Sequence, residues 1–189
     1  STDLGLRSAI ISLLQSSFLG FPVWGSDTGG YHHFIDREVF ARWIEFSCFC
    51  PLMEIGGRGD QAPWNMPTQP HYDEQMIEIY RDYVTLHHEL QDYSYQYAQR
   101  AHQSGAPIAR PLVFDWPDDP QVREIWDEYL YGDEILVAPV WRVGQRSRSV
   151  YLPQGEWTDY WDRDTTYSGP LWIEADAPLE RIPLYLRDQ

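Results

Sequence analysis

The sequence has no long apolar run and few basic residues, and both shortages limit what the protein can bind. Among 189 residues, 14 are Lys or Arg and 29 are Asp or Glu, giving a formal net charge of -15 at pH 7. A surface of this charge repels phosphate backbones and anionic lipid headgroups. No apolar stretch approaches the roughly 18 to 20 residues that span a bilayer. We therefore expect no nucleic-acid partner and no membrane partner, and a neutral or cationic small substrate.

Cysteine is also scarce. The only two, Cys48 and Cys50, lie too close in sequence for a disulfide that would stabilise the fold, and no His or further Cys stands at zinc-finger spacing. We expect two buried thiols. The chain begins at Ser1 without an initiator Met or a signal-peptide pattern, so its first residues carry no information on localisation.

The first 131 residues alternate between helix-like and strand-like patterns. Apolar residues three and four positions apart, together with capping residues, predict helices at about residues 3–19, 39–46, 76–104 and 119–131. Short apolar runs predict strands at residues 21–24 and 107–114. This alternation is typical of βα units in a barrel. Two such units cannot close a barrel, so we expect the remaining strands to come from residues before Ser1.

The pattern changes after Gly132. Short strands are predicted at residues 135–138, 149–152, 157–161 and 171–173, with turns at Gly144, Gly155 and Gly169. Closely spaced strands of this kind indicate an antiparallel β-sandwich. We therefore predict an α/β part over residues 1–131, the C-terminal portion of a (β/α)8 TIM barrel, followed by an all-β part over residues 132–189.

Asp27 is the strongest candidate for a functional residue. It lies in the glycine-rich loop that follows the predicted strand 21–24, and barrel enzymes bind substrates at the C-terminal ends of their strands. An Asp in such a turn can instead hydrogen-bond the turn backbone. Trp24, Tyr31 and Trp64 flank the same region, and aromatic rings of this kind can stack on a sugar ring.

Two further features have alternative interpretations. His32 and His33, with Asp27, superficially suggest a metal-dependent barrel hydrolase, but the metal interpretation needs further ligands at strand ends. We therefore predict no metal and no cofactor. Arg110 lies within an apolar run and needs a partner carboxylate, which we expect inside the barrel. A structural ion pair is favoured over substrate contact.

Several motifs are similar to those of one enzyme family. The stretch from Gly20 to Tyr31, followed by Phe40-Ala41-Arg42-Trp43 and residues 46–51, resembles glycoside hydrolase family 31, the α-glucosidase and α-xylosidase family. Further landmarks of the family stand in the same order at residues 62–64, 109–112, 121–131, 135–140, 150–153 and 182–184. The resemblance therefore covers nearly the whole chain.

The resemblance implies a (β/α)8 barrel followed by β-sandwich domains, with residues 21–24 as the seventh barrel strand and residues 108–114 as the eighth. It also implies a retaining mechanism, in which one Asp attacks the anomeric carbon and a second acts as acid and base. Both belong to motifs that precede this sequence, so we expect no catalytic residue within the chain. The isolated chain should be inactive.

The same resemblance assigns the supporting residues. Asp27 matches the family's Asp at the floor of the sugar site, and Tyr31 takes the place of an aromatic residue that lines it. Many members have an Arg-x-His after the proline that matches Pro51, whereas residues 53–57 here read Met-Glu-Ile-Gly-Gly. Loss of an imidazole beside the ring changes which substituents the site satisfies. Glu54 or Arg58 is a candidate replacement.

We expect the substrate to be an α-linked oligosaccharide or glycoside, with terminal glucose, xylose or a related sugar. Two alternatives stay open at this point. A non-catalytic carbohydrate-binding protein would keep the fold and lack the two upstream acids. A metal-dependent barrel hydrolase would contain stoichiometric zinc.

Overall fold

The structure is a computed structural model that describes residues 2–31, 36–56 and 73–188. Helices dominate its first half. They are α1 (Asp3–Phe18), α2 (Arg37–Cys48), α3 (Glu74–Glu89) and α4 (Gln91–Ser104). None of the described helices is long and apolar enough to cross a membrane.

Side-chain caps fix where the helices begin. The Thr2 hydroxyl accepts a hydrogen bond from the backbone N–H of Gly5 at 3.0 Å, and the Asp36 carboxylate accepts one from Val39 at 3.0 Å. Each cap satisfies a backbone donor of the first turn that has no partner inside the helix. Gly105 ends α4 with φ 77°, and its N–H donates to the carbonyl of Ala101. The helix end predicted at about residue 104 is confirmed.

The single long helix predicted over residues 76–104 is two helices. Leu90 lies between α3 and α4 with φ -79° and ψ 3°, and its N–H donates to the carbonyls of Leu86 and His88. The apolar spacing continues through this break. Sequence periodicity alone therefore could not locate the break.

The second half of the chain forms one antiparallel sheet. Its strands are β1 (Ala109–Pro111), β2 (Tyr129–Tyr131), β3 (Ile135–Val137), β4 (Ser147–Asp159), β5 (Thr166–Asp176) and β6 (Leu184–Arg187), in the order β1-β2-β3-β6-β4-β5. The prediction of a barrel portion followed by an antiparallel β domain is confirmed in this element order.

Three further predictions upstream of Gly132 were wrong. Residues 21–24, which were expected to form a strand, are not part of one. The strand expected at residues 107–114 is the three-residue β1, which pairs antiparallel with β2 and does not join a parallel barrel. The helix expected over residues 119–131 is a short 3-10 turn, Pro120–Glu124, that ends in extended backbone at Ile125. The Asp119 carboxylate caps this turn by accepting a hydrogen bond from the N–H of Gln121, and Tyr129–Tyr131 is strand β2. The expected boundary at residues 131 and 132 thus falls between two strands of one sheet.

Strand lengths in the β domain also differ from prediction. The predicted strands 149–152 and 157–161 belong largely to the single strand β4, whose pairing with β5 shifts between Leu152 and Gly155. Gly155 therefore lies at an irregularity inside a strand, and Gly169 lies within β5. Only Gly144 occupies the predicted kind of loop, with φ 81°.

Both faces of the sheet are buried at β2 and β3, which explains why these two strands lack polar alternation. Tyr129, Tyr131 and Val137 pack into one core with the helices, whereas Leu130 and Leu136 pack into a second core within the β domain. Side chains alternate between faces along a strand, so one strand contributes to both cores. The helices and the sheet therefore share a continuous apolar core.

Candidate functional site

Two extended segments run parallel to each other beside α2. The N–H of Leu52 donates to the carbonyl of Trp24 at 3.3 Å, and the N–H of Thr28 donates to the carbonyl of Glu54 at 2.8 Å. Asp27 and Glu54 form a parallel β-bridge. The segment that pairs with residues 24–28 is therefore residues 52–54, and the expectation that residues 108–114 are the adjacent barrel strand was wrong.

The glycine-rich loop that carries Asp27 is fixed to α2 on both sides. The indole N–H of Trp43 donates to the Ser26 hydroxyl at 2.9 Å, and the Thr28 hydroxyl donates to the Ser47 hydroxyl at 3.0 Å in a buried position. These two bonds hold the residues that flank Asp27. Helix α2 therefore fixes the position of the loop.

Gly29 shows why the loop needs glycine. Its φ is 83°, a conformation that side chains disfavour, and a Cβ at this position would contact the ring of Phe40 on α2. The close approach lets the loop turn directly after Asp27.

The Asp27 carboxylate is not used by the turn itself. The turn is closed by the main chain, with the N–H of Gly30 donating to the carbonyl of Asp27 at 2.8 Å. Within residues 2–31, 36–56 and 73–188, the carboxylate has no hydrogen bond or ion pair. The alternative, that Asp27 serves only to bond the turn backbone, therefore receives no support from the described residues.

The position of Asp27 depends on a glycine in the neighbouring segment. A Cβ built on Gly56 would overlap Oδ1 of Asp27, and the φ of Gly56 lies outside the left-handed region. Gly56 is thus the residue that leaves room for the carboxylate. Its backbone conformation itself would tolerate a side chain.

The segment 52–55 has one face toward the helices and one open face. Met53 and Ile55 pack against the helical core, whereas Leu52 and Glu54 are exposed. Because successive side chains alternate, and bridged residues share a face, Asp27 and Glu54 both belong to the open face. Two carboxylates therefore stand next to each other at the end of this parallel pair.

The other predicted site residues do not gather around Asp27 in the described structure. Trp24 is half-buried and packs against the helical core, so the structure does not bring its ring to the open face with Asp27. Tyr31 follows the loop and is 58% exposed. Trp64 lies outside the described residues, as do His32 and His33.

No cluster of three or more His, Cys, Asp or Glu that could hold a metal occurs within the described part of the chain. The two cysteines are buried and unpaired with each other, as predicted. Burial raises the pKa of both thiols well above the ordinary value. They are therefore unreactive core residues at neutral pH.

Arg110 is a structural residue, as favoured from the sequence. Its guanidinium bonds Asp115 at 2.9 Å and Asp133 at 2.7 Å, and its side chain is only 2% exposed. The expected location inside the barrel was wrong, because Arg110 lies on β1 of the antiparallel sheet.

Arg42 is a structural centre that was not predicted from the sequence. This residue of α2 is 1% exposed and donates to Glu45 and to four backbone carbonyls of the β domain. These carbonyls belong to Gln145, Ala177, Pro178 and Arg181. The only sequence signal was an arginine between apolar residues of an amphipathic helix.

Comparison with known proteins divides the chain between residues 97 and 105, close to the end of α4. The model of the glycosyl hydrolases family 31 TIM-barrel domain matches residues 1–97, and that of the glycosyl hydrolase family 31 C-terminal domain matches residues 105–189. A 1,3-alpha-isomaltosidase of Kribbella flavida is 33% identical over 99% of this chain. The chain spans 27% of the length of that relative.

Solved structures agree with the fold. A GH31 alpha-xylosidase from a soil metagenome, complexed with xylose, has a TM-score of 0.90 at 32% identity, with 100% of this chain and 31% of that chain covered. A cycloalternan-degrading enzyme from Trueperella pyogenes, in complex with a covalent intermediate, has a TM-score of 0.93 at 28% identity, with 100% and 27% covered.

Proposed function

Because the chain belongs to glycoside hydrolase family 31, we propose that it is part of a longer retaining exo-α-glycosidase and forms one side of its sugar pocket. The substrate is a terminal α-linked glucose, xylose or related sugar. The observation that carries this proposal is the Asp27 carboxylate at the end of the parallel pair of segments 24–28 and 52–54, where no described residue bonds it. Strand ends of this kind line the substrate site in barrel enzymes.

Asp27 has the chemistry that a sugar hydroxyl needs. A carboxylate accepts hydrogen bonds through two oxygens, and a sugar ring offers adjacent hydroxyl donors. A bond to an ionised group is stronger than one between neutral groups. The Ser26 and Thr28 anchors hold the backbone on both sides of Asp27 before substrate binds, which lowers the entropy cost of ordering the loop.

The bond-breaking groups lie outside the chain in this proposal. An upstream Asp attacks the anomeric carbon while a second Asp donates a proton to the departing oxygen. Water then attacks the glycosyl ester, the second Asp takes the water's proton, and the sugar leaves with its configuration retained. A covalent intermediate in the T. pyogenes relative is consistent with this two-step route. Within the chain, Asp27 binds and orients the sugar.

The full-length protein should release the aryl alcohol from an aryl α-glucoside or α-xyloside. Proton NMR should show the α-anomer of the free sugar first, before mutarotation produces the β-anomer. Initial formation of the β-anomer would contradict the retaining mechanism, and absence of any release would contradict the proposal as a whole. The isolated chain of 189 residues should be inactive in the same assay.

A further inference from the structure

Glu54 stands directly beside Asp27 on the open face of the parallel pair. The two residues form a parallel β-bridge, and the N–H of Thr28 donates to the carbonyl of Glu54 at 2.8 Å. Neighbouring strands lie about 4.8 Å apart, so the two carboxylates emerge from adjacent positions.

The Glu54 carboxylate has no partner in the protein as far as the described residues extend. It takes part in none of their ion pairs or hydrogen bonds, and its side chain is exposed. Arg58 lies outside the described residues, and the two arginines of α2 are engaged elsewhere. Arg37 pairs with Asp73, and Arg42 is directed to the β domain. The pair of carboxylates therefore keeps its negative charge uncompensated by these arginines.

We propose that Glu54 is a specificity-determining residue of the sugar site, which acts with Asp27 to select sugars that offer hydroxyl or ammonium donors and to reject anionic sugars. The inference rests on the proposed function. Two adjacent carboxylates attract hydrogen-bond donors and cations, whereas they repel a uronate or sulfonate group at the same position. A site of this kind discriminates by repulsion as well as by attraction.

The test compares matched aryl glycosides on the full-length protein. The α-glucoside carries a neutral sugar, the α-glucosaminide a cationic one and the α-glucuronide an anionic one. The wild type should prefer the first two over the glucuronide in kcat/KM. Glu54→Gln, which removes the charge and preserves the shape, should narrow the preference for glucoside over glucuronide by about tenfold or more.

Two controls separate this effect from a structural one. Glu78→Gln removes an equal charge from an exposed position of α3 and should leave the preference unchanged. The effect of Glu54→Gln should also shrink as salt is raised, because ionic screening weakens charge repulsion at an open site. A merely structural role would not produce that salt dependence.

The outcomes distinguish this inference from the function on which it rests. Wild-type hydrolysis with the same glucoside-to-glucuronide ratio in Glu54→Gln overturns the role of Glu54 alone. If the wild type binds glucosides without cleaving them, the glycosidase proposal fails. The role of Glu54 is then tested by the ratio of glucoside to glucuronide binding affinity in the wild type and in Glu54→Gln, and an equal ratio overturns it. If it neither binds nor cleaves any of the three, both proposals are overturned.

Discussion

Nη2 of Arg42 on α2 donates to the backbone carbonyl of Ala177 at 2.7 Å and thereby joins the helical half of the chain to the β domain. The same side chain reaches three further carbonyls of the β domain and the carboxylate of Glu45. Because α2 also anchors the Asp27 loop through Trp43 and Ser47, one helix positions the loop and the β domain together.

Loss of Arg42 should destabilise the protein strongly. Arg42→Met would leave four backbone carbonyls and the Glu45 carboxyl without their hydrogen-bond donor, and each buried acceptor that loses its partner costs about 1–3 kcal/mol. Thermal unfolding of the full-length variant should show a clear decrease in melting temperature. Arg123→Met, at an exposed position, is the matched control and should melt like the wild type. Equal melting of both variants would show that the Arg42 contacts contribute little.

Glu45 should make stability depend on pH. Burial raises the pKa of its carboxyl from 4.5 to about 8, although Arg42 acts in the opposite direction. Between these values the folded protein holds a proton that the unfolded chain has lost, so rising pH favours unfolding. The stabilisation is fully present below about pH 4.5 and is lost as the pH rises through about 8.

Glu45→Gln should therefore flatten the fall in stability between about pH 5 and 8. One such group contributes at most about 1.4 kcal/mol per pH unit. Glu128, whose pKa burial also raises to about 8, should leave a residual slope. Chemical denaturation at a series of pH values measures the difference. Glu78→Gln, at an exposed position, should retain the full wild-type slope, and the same slope in Glu45→Gln would contradict the raised pKa.

Gly56→Ala should reduce activity without unfolding the protein. The added methyl group would occupy the place of Asp27 Oδ1, so the carboxylate must move, while the backbone of residue 56 accepts alanine. Because a misplacement of a substrate-positioning group by roughly 1 Å can cost about 100-fold in rate, we expect kcat/KM to fall by about 100-fold. Steady-state kinetics on the aryl α-glucoside checks this expectation.

Gly5→Ala is the control for that substitution. A Cβ at Gly5 on α1 would make only ordinary contacts, the nearest being the Thr2 hydroxyl at 3.4 Å. Alanine also favours helix more than glycine does. Full activity in Gly5→Ala together with full activity in Gly56→Ala would show that Asp27 does not need its present position.

Local signals in the sequence predicted the helical half well. The cap at Gly105 and the apolar spacing of α1 and α2 depend on nearby residues, and the structure confirms them. Long-range pairing decided the rest. Tyr129–Tyr131 has apolar residues that also suit a helix, but β1 and β3 pair with it on both sides and make it a strand.

The site was predictable only in part for the same reason. A glycine-rich loop after an apolar run indicated Asp27. Residues 52–54 lie beside Asp27 because they pair with it in parallel, and α2 separates the two segments in the sequence. No local sequence pattern specifies such a pairing. The overlap between Gly56 and the Asp27 carboxylate is likewise visible only in three dimensions.

The central claim is that Asp27 binds the sugar of an α-glycosidase, and one kinetic comparison tests it most directly. Asp27→Asn in the full-length protein should lower kcat/KM for the aryl α-glucoside or α-xyloside by at least about tenfold, since it weakens a charged hydrogen bond to substrate. Its melting temperature should stay at the wild-type value, and Asp118→Asn, at an exposed position of the β domain, should keep full activity. An unchanged rate in Asp27→Asn would contradict the binding of the sugar by Asp27.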